Sequence, residues 1–189
     1  MDPLILLLIR HAEKPGGAWP GPGLTDAGVE DKKSLVIRGW QRAGAWAALF
    51  ALGRAPDFPV PGQLFAAQPG DSGDADDGPS RRPAQTLTPL AARLNLPLDT
   101  QHPLGDEAGL VTEVLGLSGV VLVAWEHKAI VEALIPKLPV TSGSPPTAWP
   151  GGRFDVVLRF DRAAGQAGLS YRMLFPLLLQ GDSDQGFGP

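Results

Sequence analysis

At 189 residues the chain falls within the usual size of one domain able to bury its own core. Hydrophobic residues make up 43% and charged residues 19%, which excludes a disordered chain, and a net charge of −4 argues against a broad basic face for nucleic acid. No cysteine is present, so disulfides, thiolate metal sites and cysteine nucleophiles are excluded.

The first element is the apolar run at 3–9. It lacks a basic segment before it and a small-residue cleavage site after it, and it is too short to span a bilayer. It therefore reads as a strand buried on both faces, and the expectation is a cytoplasmic protein with no membrane partner. Ser34 suits the N-cap of a helix running to about residue 52, on which Trp40, Ala43, Ala47 and Phe50 recur at helical spacing. A strand at 63–67, a helix at 83–94 and a short strand near 96–100 come next. The pattern then predicts a helix over 107–115, a buried strand at 120–125 and a helix over 129–138. Alternation at 153–160 and 169–175 predicts a closing pair of strands. Glycine and proline concentrate at 14–28, 53–62, 69–80 and 139–152, which read as loops, the acidic stretch 71–78 being solvated surface. Such strand and helix alternation implies an α/β sheet with helices on both faces, and ligands there bind beyond the carboxyl ends of the strands.

Three segments place chemistry at such positions. Arg10-His11 directly follows the first apolar strand, and His127 follows the strand ending at Trp125. Between them, Arg81-Arg82-Pro83-Ala84-Gln85-Thr86 leads into a helix whose N-terminus already favours anions. Together these residues make sense as a phosphoryl-transfer site. A neutral imidazole can accept the phosphoryl group covalently, while fixed guanidinium forks stabilise the charge on its equatorial oxygens. His127 supplies one further hydrogen bond.

The run Leu8-Ile9-Arg10-His11-Ala12-Glu13-Lys14 resembles the Arg-His signature of the histidine phosphatase, or phosphoglycerate-mutase-like, superfamily. Arg82-Pro83-Ala84-Gln85-Thr86 is similar to its Arg-Ala-x-Gln-Thr segment, and the strand ending before His127 resembles the one that delivers its second histidine. Ser34-Leu35 with Gly39, Gln41 and Ala43 resembles the start of its first helix. The resemblance implies a three-layer α/β/α sandwich with a mostly parallel sheet. It also implies phosphomonoester or phosphohistidine hydrolysis through a phosphohistidine on His11, with Arg10, Arg82 and His127 forming the phosphate pocket. No metal or other cofactor is implied, and the partner is a phosphorylated small molecule or phosphoprotein. Arg81 is a second candidate for the pocket; Arg82 is preferred because it precedes Gln85 by the family's three positions. Glu107, with Asp106 beside it, stands at about the family's acid position. Glu126 is the rival donor, disfavoured because neighbours on a strand face opposite ways unless the strand has ended. The family's usual glycine after the second histidine is Lys128 here, and the Glu-x-x-x-Gly segment of many phosphoglycerate mutases is absent at Glu107; both departures favour a phosphatase over a mutase.

Two other readings stand beside this one. His11, Glu13 and His127 offer metal-ligand chemistry, although that leaves both arginines without a role. The same pocket without an effective acid would make a phosphate-binding scaffold. A weakly placed acid would favour a phosphoramidate substrate, whose nitrogen leaves readily once protonated. His102, in a loop, reads as a solvated bystander, Trp19 as a possible pocket wall and Trp125 as a buried neighbour of His127.

Overall fold

A computed structural model describes residues 1–53, 55–70 and 78–188. The acidic stretch expected as a loop falls, for 71–77, outside these residues. Seven strands form one sheet in the order β3-β2-β4-β1-β6-β7-β5. They are β1 Leu4–Arg10, β2 Gln63–Ala66, β3 Leu98–Asp99, β4 Gly119–Trp125, β5 Val140–Ser142, β6 Val157–Arg162 and β7 Leu169–Leu174. Pairings β3-β2, β2-β4, β4-β1 and β5-β7 are parallel, and β6 runs antiparallel to β1 and β7. The sheet is thus mostly parallel, as expected.

Period-two burial builds a core on each face. From β1, Leu4, Leu6 and Leu8 point one way with Val121, Val123 and Trp125 of β4; Leu7 and Ile9 point the other way with Leu122 and Ala124. The first set packs under α3, Glu107–Gly116, through Leu110, Val111 and Val114. The second packs under α1, Ile37–Leu52, and α2, Arg82–Leu94, through Trp46, Phe50, Leu87 and Leu90. Each fully buried aliphatic side chain contributes about 1.5–3 kcal/mol, and both faces of β1 are spent this way. The result is the three-layer α/β/α arrangement. No helix among the described residues is long and apolar enough to cross a membrane.

Several boundaries differ from the sequence reading for identifiable reasons. Helix α1 starts at Ile37 with Val36 at its N-cap and no side-chain cap. Ser34 instead donates to Asp31 and accepts from Gln85 Nε2 at 2.7 Å. The helix expected over 129–138 is a short α4, His127–Ala129, that widens into a π-helical turn over Ile130–Leu134 and tightens into a 3-10 turn over Ile135–Lys137. Pro136 has no N–H for the regular ladder, which accounts for the break. Strand β6 begins at Val157, not 153, because the carbonyl of Arg153 is taken by Trp149 Nε1 at 2.9 Å and by Arg10 at 3.1 Å. Edge strand β5, three residues within the expected loop 139–152, is too short for alternation to reveal.

Candidate active site

Strands β1 and β4 are parallel neighbours in register, Arg10 facing Trp125. Their ladder extends one step further, from His11 N–H to the Trp125 carbonyl at 3.0 Å. Adjacent strand ends therefore bring the first Arg-His pair beside the Glu126-His127 pair. Helix α2 delivers its N-terminus to the same place, since Thr86 Oγ1 accepts from Ala12 N–H at 2.9 Å and donates to the Arg82 carbonyl at 2.7 Å. Thr86, fully buried, thus ties the backbone just after His11 to the start of α2.

His11 is 4% exposed, and its Nδ1 lies 2.8 Å from the Ala12 carbonyl. A carbonyl only accepts, so Nδ1 carries the proton and the lone pair belongs to Nε2. Burial lowers the ring's pKa from 6.5 to about 3; Arg82 and Arg10 push the same way, while the Ala12 hydrogen bond and Glu126 oppose. The imidazole is neutral through the physiological range.

A cavity of about 80 Å³ opens beside His11, with Arg82 and Glu126 in its wall. Among the described residues lining it, Arg82 is the one cation and Glu126 the one anion. Arg82 donates from one amine to the Lys32 carbonyl at 3.2 Å, and its buried Nε has no partner. Arg10 is 1% exposed and does not line the cavity. One of its amines donates to the carbonyls of Gly151 at 2.7 Å and Arg153 at 3.1 Å. Its guanidinium stacks 3.8 Å from the Phe154 ring centroid, and its buried Nε is unpartnered. Burial draws its pKa down to about 10, which leaves it cationic at neutral pH.

Strand β4 ends at Trp125, so the alternation argument against Glu126 lapses and its carboxylate reaches the cavity. Glu126 caps α4, accepting from Ala129 N–H at 2.8 Å. His127 Nδ1 sits 2.6 Å from Glu126 Oε1 but off the hydrogen-bond axis, so that buried nitrogen too has no aligned partner. Burial alone would raise the Glu126 pKa; the His127 ring and the α4 backbone N–H groups outweigh it and hold the carboxyl down to about 2.

The remaining sequence candidates lie elsewhere. Glu107 is buried on the α3 side, accepting from Trp125 Nε1 at 3.0 Å and Gly105 N–H at 3.0 Å, and does not line the cavity. Asp106 caps α3 and meets His102 Nδ1 at 2.8 Å. His102 also meets Glu113 at 2.7 Å, which makes it a clamp on α3 and not a bystander. Arg81 turns to a separate cavity shared with Asp26 and Trp40, its Nε donating to the Gly70 carbonyl at 3.1 Å. Trp19 stacks under Arg38, 4.2 Å away, and lies off the His11 cavity. Glu13 turns from His11 to Arg42 Nε at 2.9 Å, and among the described residues no group of three acidic or histidine side chains gathers as a metal site. Sequence reasoning passed over Phe154, which packs on both Arg10 and the His11 ring, centroids 6.2 Å apart; nothing in a strand-like stretch signals that role. It also left Gln85 without a function. Gln85 Oε1 accepts from Leu35 N–H at 2.9 Å, pinning the segment that leads into α1.

No family model matches the chain, and no curated protein matches it. Among solved structures it is similar to one named "Mycobacterial hydrolase 2", at 16% sequence identity and a TM-score of 0.52, with 97% of this chain and 95% of that one covered. At that identity the likeness concerns the fold alone.

Proposed function

We propose that this protein is a phosphohydrolase of the histidine phosphatase type, with His11 as nucleophile. The observation carrying this reading is a buried, neutral His11 whose Nδ1 proton is committed to Ala12, beside two arginines that each keep a buried Nε unspent. The hydrolase name of the similar structure agrees with the broader class.

In the first step the Nε2 lone pair of His11 attacks phosphorus, an N–P bond forms, and the ester P–O bond breaks with its electron pair on the leaving oxygen, which takes a proton from solvent; the proton that Glu126 later accepts returns to solvent and closes the cycle. Arg82 on the wall stabilises charge spread over the phosphoryl oxygens directly, and the buried Arg10, off the wall, adds only its positive potential. In the second step a water attacks phosphorus while Glu126 accepts its proton. The N–P bond then breaks, phosphate departs, and the lone pair returns to His11. Glu126, ionised at rest, fits the role of base for this water better than that of first proton donor. The Ala129 N–H at the start of α4 fixes the carboxylate's orientation, and His127 packs against it.

The test is hydrolysis of para-nitrophenyl phosphate in EDTA by wild type and His11→Ala. Turnover by wild type that drops at least about a thousandfold in the variant is expected, because the nucleophile acts in both steps. Equal rates in the two proteins would end the reading. Vanadate binding by a folded but inactive wild type would instead indicate a phosphate-binding protein.

A further inference from the structure

Resting on the phosphohydrolase reading, we propose that the site takes monophosphates whose leaving group is uncharged and apolar near the phosphorus, and discriminates against substrates that carry a second anion. Both the wall and the charges of the cavity support this.

Deep in the cavity, Ala67 and Pro83 are buried beside His11. Toward solvent stand Pro79, Leu104 and the neutral Gln68, all exposed, Leu104 at 56%. An exposed leucine at the opening of a pocket offers apolar surface to whatever extends out of it. A leaving group that extends out of the cavity passes these exposed residues, two of the three apolar.

The positive charge is matched to one phosphoryl group. Arg82 lines the cavity and Arg10 does not, one Arg10 amine being already given to the loop carbonyls. The next arginine in the chain, Arg81, faces the other cavity, 4.0 Å from Asp31. A carboxylate or second phosphate on the leaving group would therefore meet Leu104, Pro79 and the neutral Gln68, with no second cation among the described residues that line the cavity. The ionised Glu126 would repel it from the same wall.

A matched pair of probes tests this: 4-carbamoylphenyl phosphate and 4-carboxyphenyl phosphate, alike in shape and differing in one charge. The neutral ester should have a kcat/KM at least about tenfold higher, the size of effect a poorly screened like-charge contact produces. Leu104→Lys, at an exposed position that folding tolerates, should narrow the ratio by raising the rate on the carboxylate. Glu126→Gln should narrow it too. Equal kcat/KM values for the two esters in wild type, or an unchanged ratio in Leu104→Lys, would overturn the proposal. The corresponding 4-carbamoylbenzyl and 4-carboxybenzyl phosphonates, titrated by calorimetry, separate selectivity from turnover. If neither ester is hydrolysed, the phosphohydrolase reading fails, while tighter binding of the neutral phosphonate still upholds the charge selection. Equal binding, or no binding of either, overturns it.

Discussion

His11 combines two properties that only its surroundings confer. The Ala12 carbonyl assigns its tautomer, and burial assigns its charge. Both have a consequence for stability. An unfolded imidazole takes up a proton near pH 6.5, whereas the folded ring refuses one until about pH 3. Between those values the unfolded state binds more protons, so stability falls as the pH drops through that window. In His11→Asn this component vanishes, and urea unfolding across about pH 4 to 6.5 should show a shallower loss of stability than wild type. Identical acid slopes would mean that the ring is not held neutral. His102 has the opposite sign. Its bonds to Asp106 and Glu113 raise its pKa, so the clamp's contribution is present at low pH and fades as the pH rises through the raised value. That Arg10, His11 and Arg82 stand at a strand end and a helix start was legible from their neighbours in sequence. That Glu126, weighed there only as a rival donor, lines the cavity was not, because its access depends on the residue at which β4 ends.

Helix α1 shows how one residue sets the approach of an element to the site. A Cβ on Gly39 would lie 2.5 Å from the Glu13 carbonyl oxygen and 3.0 Å from Leu35 Cβ, so glycine lets the helix pass against the chain just after His11. Gly44, on the exposed side of the same helix, has nothing within 4 Å of such a Cβ. Gly44→Ala should therefore stabilise by about 0.5–1 kcal/mol through backbone entropy. Gly39→Ala should cost about 2 kcal/mol by overpacking, despite the same propensity gain, and should lower activity as well. Chemical denaturation of the two variants checks this, and a neutral Gly39→Ala would refute the close approach. Position 39 was recognisable only as part of a motif, since a glycine within a helix says nothing about what it passes. The same applies to α4. Its apolar spacing predicted a helix, but its π and 3-10 turns follow from Pro136 acting on a ladder already anchored by Glu126.

Across the whole molecule, the C-terminal segment after β7 works as a strap. Asp182 accepts from both Arg42 amines, at 2.8 and 3.2 Å, and from Leu179 N–H at 2.9 Å; Arg42 in turn holds Glu13, two residues from His11. Further along, Arg153 donates to the Ser183 carbonyl at 2.9 Å and the Gln185 carbonyl at 2.5 Å. The carbonyl of that same Arg153 receives Arg10. Both sides of His11 are thus braced by the last stretch of chain. Arg42 and Asp182 side chains are 4% and 3% exposed, so Asp182→Ala leaves a buried guanidinium with half its counter-charge. The expected loss is ~3 kcal/mol in urea unfolding, the size found when one partner of a buried ion pair is removed. A change within ~0.5 kcal/mol, typical of exposed pairs, would show the strap to be superficial.

By itself the sequence determined the α/β class, because runs buried on both faces alternate with helical periods, and it located the residues beyond β1 and β4 and at the start of α2. Those are local properties, carried by hydrophobic period and by proline placement. Only the tertiary structure decided that Glu126 and not Glu107 reaches the cavity, that Arg81 faces away, and that Phe154 and Asp182 support the site. Each of those depends on where a strand stops or on contacts between residues far apart in the chain, which no local pattern encodes.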